Sequence, residues 1–238
     1  ILTIICMTFY KLAGMNFFDA IGHSFSTVSI GGFSTHNESI GYYSSDYIKI
    51  ICMAFMFLSA LNFVLHFLFY KTKSFDNYFS NSEAKTFIFI IMGLLILVFL
   101  FSIGGRLSSI NNIDLIFHVL SFVTTSGFTV SEYSSWPTFV VMLIFLSSFI
   151  GACAGSAGGG MKVIRITIAL KSIKKQLLKV IHPKAQISMK VNDKKVEDVT
   201  IETILSFIIL YIVIFFISSL LIMMSGHDLI TSFSTTAA

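Results

Sequence analysis

The chain has 238 residues, of which 55% are hydrophobic and only 12% charged, with a formal net charge of +4. A soluble domain carries roughly twice that charged fraction, so the composition excludes a water-soluble enzyme and implies an all-α integral membrane protein. The three cysteines, Cys6, Cys52 and Cys153, form no CxxC pair and lie in apolar runs. That setting fits reduced packing residues rather than a disulfide or metal framework.

Residues 1 to 15 read as the remains of a membrane span, and the absence of an initiator Met suggests an interior fragment of a longer protein. Residues 17 to 28 predict a helix of about 18 Å, half the depth of a bilayer. Residues 48 to 69 predict a full span of about 33 Å, with Lys49 near one end and Asn62 and His66 inside. Residues 86 to 104 form a uniformly apolar span, and 112 to 123 predict a second half-depth helix. Residues 138 to 180 read as a span broken in its middle, and 201 to 224 as a further span. With only two prolines in the chain, the other apolar segments are expected to run uninterrupted.

The half-depth segments are copies of one another. FFDAIGHSFSTVSIGGFS (17 to 34) and NIDLIFHVLSFVTTSGFT (112 to 129) share seven of 18 positions at an offset of 95. A third partial copy, HDLITSFSTTAA, closes the chain with Asp228 in place of Asp114. A half-depth helix that returns through a loop is re-entrant, and irregular backbone at that depth is tolerated where it lines a wet cavity or is enclosed by protein. The loops, Ser29, Ile30, Gly31, Gly32 and Phe33 in one copy and Thr124, Thr125, Ser126, Gly127 and Phe128 in the other, can offer backbone carbonyls to a dehydrated cation. The carbonyls of Ile30, Gly31, Gly32, Thr125, Ser126 and Gly127 are the expected ion ligands. Glycine accepts the dihedrals this needs, and the carboxyl end of the short helix favours a cation. Asp19, Asp114 and Asp228, in the first turns, are expected to act as helix caps. His23 and His118, four residues on, share a face with their aspartates. They suit a bracing role, since no third metal ligand accompanies them.

The broken span contains Gly151, Gly155, Gly158, Gly159 and Gly160, five glycines in ten residues. Each lowers helix propensity by about 1 kcal/mol relative to Ala. Gly155, Ser156, Ala157, Gly158, Gly159 and Gly160 are read as a movable gate below the ion site. The competing reading is close helix packing on small residues. Ten of the 16 basic residues fall between Lys162 and Lys195. The positive-inside rule then makes 70 to 85 and 171 to 197 cytoplasmic, and 34 to 46 and 129 to 136 extracytoplasmic. The basic cluster against a span points to membrane lipid or a partner and not to nucleic acid. Trp136, Tyr42, Tyr43 and Tyr133 suit an interfacial belt.

FSTVSIGGFSTH (25 to 36), TTSGFT (124 to 129), SSFIGACAGSAGGGMKVIRI (147 to 166), NFVLHF (62 to 67) and the His182-Pro183 pair resemble the membrane subunit of the Trk/Ktr/HKT superfamily of potassium transporters, closest to the bacterial Trk type. The resemblance implies M1–P–M2 units with re-entrant pore loops around a pseudo-fourfold pore in the bacterial inner membrane. Residues 1 to 80 would be repeat two, with filter 29 to 33, and 81 to 182 repeat three, with filter 124 to 128. Residues 183 to 238 would open repeat four, with a pore helix from 228 and no filter. It further implies potassium uptake with potassium as cargo and no resident cofactor, a homodimer, and a cytosolic nucleotide-binding regulatory subunit. A sodium-selective or sodium-coupled relative is the alternative within transport. A membrane enzyme using the Asp/His pairs is the alternative outside it.

Overall fold

Long apolar runs with no competing polar face become membrane helices, and short ones end where a side chain caps them. The computed structural model describes residues 1–102, 110–133, 135–183, 188–192 and 194–237. Lys184, the end of the expected 86 to 104 span and Ala238 lie outside the described residues. In chain order, α1 (Leu2–Leu12), α2 (Phe17–Val28), α3 (Asp46–Ala60), α4 (Phe63–Thr72) and α5 (Asp76–Ser80) make the first part. They are followed by α6 (Ser82–Phe101), α7 (Asn112–Val123), α8 (Thr138–Ile150) and α9 (Val163–Ile181). A minimal antiparallel pair, β1 (Lys190–Val191) and β2 (Lys194–Lys195), precedes α10 (Asp198–Met224) and α11 (Leu229–Ala237).

Among the described residues two helices, α6 and α10, are long and apolar enough to cross a membrane alone. The residues expected to form one span from 48 to 69 do not. They form α3 and α4, bent by 94° across Leu61 and Asn62. Neither proline nor glycine marks this bend. Asn62 caps α4 by accepting from the Val64 N–H at 2.8 Å. The His66 Nε2–H reaches back across the break to the Leu58 carbonyl at 2.8 Å, while Nδ1 accepts from the Tyr78 hydroxyl. Freed backbone groups in lipid must find partners, and here neighbouring side chains supply part of them.

Among the described residues the core forms three clusters, of which Ile168, Met189, Val191 and Ile201 make the smallest and the other two interpenetrate. Cys6, Tyr10, Ala20, Ile48, Cys52 and Met56 enclose Phe117 and Phe128 from the second copy. Phe87, Leu115, Val119, Val140, Ile144 and Val163 enclose Ile30 from the first copy, with Ala60 of α3 and Leu65 of α4. In lipid this packing is held by dispersion and shape rather than by exclusion from water. All three cysteines are free and buried. Trp136 is buried, edge-on to His118 at 5.0 Å, and Tyr43 is turned inward. These two rings are internal packing and hydrogen-bonding groups rather than members of an outward belt.

Candidate ion pathway and gate

The helices of the two full copies, α2 and α7, end in the same way. In α2 the Ile30 N–H bonds the Thr27 carbonyl and the Gly31 N–H bonds the Ser26 carbonyl, at 3.2 and 2.8 Å. In α7 the Thr125 N–H bonds Phe122 and the Ser126 N–H bonds Ser121, at 3.0 and 2.8 Å. This is a Schellman cap, whose left-handed residue is ordinarily glycine. Here it is Ile30 at φ 56° and Thr125 at φ 65°, both β-branched. The left-handed region costs such residues about 1–2 kcal/mol. Gly32 and Gly127, two residues on, are again left-handed at φ 70° and 79°, while Gly31 and Ser126 between them are not. The two loops therefore share one alternation of backbone hand, left, right, left, at matched positions. Strain repeated at matched positions persists only where the surroundings over-determine it.

The two loops adjoin. A Cβ on Gly32 would fall on the Ser126 carbonyl oxygen, so only glycine lets the first loop lie against the second. Beyond the loops, the Gly41 N–H donates to the Thr129 carbonyl at 3.1 Å and the Thr129 N–H to Ser39 Oγ at 3.2 Å.

The caps at the other ends of these helices differ from expectation. Asn16 and Asn111 are the N-caps, accepting from the Asp19 and Ile113 N–H groups. An Asn side chain reaches the first-turn donors from outside the helix, which leaves Asp19 and Asp114 free for other partners. Asp228 does cap, accepting from the Thr231 N–H. The signal was available: Asn16 and Asn111 also stand 95 apart, just ahead of the copied window.

Asp19 receives hydrogen bonds from Asn16 Nδ2 at 2.7 Å, Thr35 Oγ1 at 2.6 Å, His36 Nε2 at 3.0 Å and Tyr43 Oη at 2.7 Å. Burial works against its ionisation, but the Thr35, His36 and Tyr43 donors outweigh burial and hold the carboxyl well below the usual carboxylate range. Asp114 instead pairs with Lys49 Nζ of α3 at 2.8 Å, and Lys49 also reaches Asp46 at 3.4 Å. His23 donates from Nδ1 to the Asp19 carbonyl and accepts at Nε2 from Ser34 Oγ, both at 2.9 Å. His118 Nδ1 likewise donates to the Asp114 carbonyl at 2.8 Å. Both histidines brace their helices.

Between α8 and α9, residues 151–162 leave the helical path. Gly151 and Gly160 meet backbone to backbone and close the neck of a hairpin, each excluding a side chain on the other. The Met161 N–H bonds the Phe149 carbonyl and the Val163 N–H the Ala152 carbonyl. Lys162 Nζ folds back onto the Gly158 carbonyl. The tip of the hairpin touches the second filter loop: the Gly159 N–H donates to Thr125 Oγ1 at 2.7 Å, and Gly158 lies against the Thr124 carbonyl.

The same hairpin fills the break between α3 and α4. The Cys153 and Ala157 N–H groups donate to the Ala60 and Ser59 carbonyls, and the Phe63 N–H donates to the Gly155 carbonyl, at 3.0 to 3.2 Å. These are the orphan groups that a helix end leaves. One buried side chain outside the expected site also holds the hairpin. Glu83, in the first turn of α6, accepts at Oε1 from the Ala154 N–H at 2.7 Å and the Ile164 N–H at 3.2 Å. No motif marks Glu83, because both of its partners are main-chain groups more than 70 residues away.

The structure therefore brings Ser29, Ile30, Gly31 and Gly32 beside Thr124, Thr125, Ser126 and Gly127, with Gly155, Ser156, Ala157, Gly158, Gly159 and Gly160 in the adjoining hairpin. The profile of the TrkH family, described as a cation transport protein, matches residues 1–238. The chain belongs to the TrkH family. It is 41% identical over 241 residues to the Trk system potassium uptake protein TrkH of Halomonas elongata, covering 100% of this chain and 50% of that protein. It is 38% identical over 243 residues to TrkH of Escherichia coli K12, again covering 100% of this chain and 50% of the relative. The crystal structure of the potassium transporter TrkH from Vibrio parahaemolyticus superposes with a TM-score of 0.93 at 38% identity, covering 99% of this chain and 52% of that one. The chain thus spans about half the length of the relatives it matches. It is an integral membrane protein built of M1–P–M2 units with re-entrant pore loops, like other members of the TrkH family.

Proposed function

We propose that this chain supplies repeats two and three, and the opening of repeat four, of a potassium-uptake pore. The observation that carries the reading is the pair of matched, strained Schellman caps whose loops lie against each other; their carbonyls would close part of a ring. Such a ring replaces hydration around a passing cation without placing formal charge in the membrane. The carbonyls of Ile30, Gly31, Gly32, Thr125, Ser126 and Gly127 are the ligands, potassium is cargo, and no resident cofactor takes part. The names of the relatives as potassium uptake proteins support the choice of ion.

Residues 155–160 are the gate, closed in this state against Thr125. Connections 70 to 85 and 171 to 197 face the cytoplasm, and 34 to 46 and 129 to 136 face outside. The whole protein works as a homodimer in lipid with a cytosolic nucleotide-binding subunit, and binds no nucleic acid. It acts as a transporter and not as an enzyme: His23 spends both ring nitrogens on bracing, and Asp19 is saturated by donors.

Expression of the full-length parent protein in a strain lacking potassium uptake tests the reading. Growth on limiting potassium is the expected outcome. In the same background, deleting 155–160 should raise cation flux, and absence of growth rescue by the intact protein would overturn the proposal.

A further inference from the structure

We infer that Glu83 is the positioning residue that clamps the neck of the gate hairpin, and so sets how readily the gate leaves the filter. The inference rests on reading 155–160 as the gate. Three observations converge on this side chain.

Glu83 is 5% exposed, and a carboxylate is retained at such a place only with partners. Its partners are the Ala154 N–H, where the chain enters the hairpin, and the Ile164 N–H, where it has left it, both on the single oxygen Oε1. One side-chain atom therefore ties the incoming and outgoing strands together, beside the Val163–Ala152 and Met161–Phe149 main-chain bonds. The helix that receives the outgoing strand also lacks a cap of its own. Lys162 occupies the N-cap position of α9, sits at φ 74°, and makes no capping bond. Glu83 takes over that duty from a neighbouring helix and places a carboxyl group at the positive end of α9.

Other ties of the hairpin lie further toward its tip: they join Cys153, Gly155 and Ala157 to main-chain groups at the α3–α4 break, and Gly159 to the Thr125 hydroxyl. At the neck the Glu83 carboxylate adds to the Met161–Phe149 and Val163–Ala152 main-chain bonds, and a neck that loses it holds the hairpin less firmly. Glu83 touches neither the ion path nor the filter in these contacts, so its effect on conduction passes through the hairpin.

The test uses the full-length protein in lipid vesicles, with amide hydrogen exchange and potassium flux as paired readouts. Glu83→Ala removes the acceptor. Exchange at Ala157 and Gly159, whose N–H groups do not bond Glu83, should rise about tenfold, and flux should rise with it. Glu83→Gln keeps an acceptor oxygen at the same place and should restore both to within about twofold of the parent. Glu83→Asp, one methylene shorter, should move both readouts as Glu83→Ala does, and serves if the alanine variant fails to assemble. Unchanged exchange at Ala157 and Gly159 in these variants would overturn the clamp. If instead exchange rises while neither the clamp variants nor deletion of 155–160 alters flux, the clamp holds and the gate reading falls.

Discussion

The two pore hairpins share a backbone and differ in what fastens them. In the first, Asp19 gathers Thr35, His36 and Tyr43, all from the segment that follows its own filter. In the second, Asp114 reaches out of its repeat to Lys49 on α3. The first hairpin is thus locked onto itself, and the second is locked onto its neighbour. The sequence copies preserve the backbone of the loop, namely the Schellman geometry and the glycine two residues on. What holds the hairpin in place has been free to diverge.

That difference can be broken in graded steps. The largest effect is expected at the filter glycines themselves. Gly32→Ala drives a methyl group into the Ser126 carbonyl, whereas Gly127 has open space around it and only its φ of 79° to oppose a side chain. Gly32→Ala should abolish potassium uptake in the full-length protein, and Gly127→Ser should leave a conducting pore with weaker potassium over sodium discrimination. Competition flux assays distinguish the two, and equal loss in both would show the loops to be equivalent after all.

The ion pair comes next. Lys49→Met strands a largely buried carboxylate, which costs about 3–5 kcal/mol when the partner is removed, and should lower the thermal unfolding midpoint sharply. Lys49→Met combined with Asp114→Leu should recover most of the loss, because an apolar pair of similar volume is often neutral there.

A smaller effect is expected from Asp19→Ala: Thr35 is exposed and His36 half-buried, so water can replace the carboxylate there, and about 2 kcal/mol is expected, with faster exchange confined to 34–43.

The smallest effect is one of pH. The Asp19 carboxyl is depressed below its ordinary value of 3.8 in the folded protein. Its contribution is therefore complete above that value and is lost only as the pH falls below it toward the folded value. Exchange in 34–43 measured from pH 6 down to 3 should stay flat and then rise at the acid end.

The repeat, the half-depth hairpins and the membrane class were legible in the sequence because each leaves a local mark: a copied window, a short apolar run, a glycine. The strained residues were not, since Ile30 and Thr125 are poor choices for a left-handed position and only the tertiary frame forces them there. The bend at Leu61 and Asn62 was hidden for a related reason. A helix usually breaks at glycine or proline, but here the broken end is completed by backbone groups from a loop about 90 residues further along. Glu83 escaped notice for the same cause, as its chemistry is directed at main-chain amides that no motif records. Capping preference is local and points to Asp19 and Asp114 as it does to Asp228, but Asn16 and Asn111 hold the place ahead of the first two, whose carboxylates take longer-range partners instead.

The hydrogen bonds that complete the α3–α4 break belong equally to the hairpin of 151–162. Neither partner can shift without exposing carbonyls or amides to hydrocarbon, so the α3–α4 elbow and the hairpin must travel as one body or exchange partners in step. A push on α4 reaches the hairpin through the Phe63–Gly155 main-chain bond, with no side chain as intermediary.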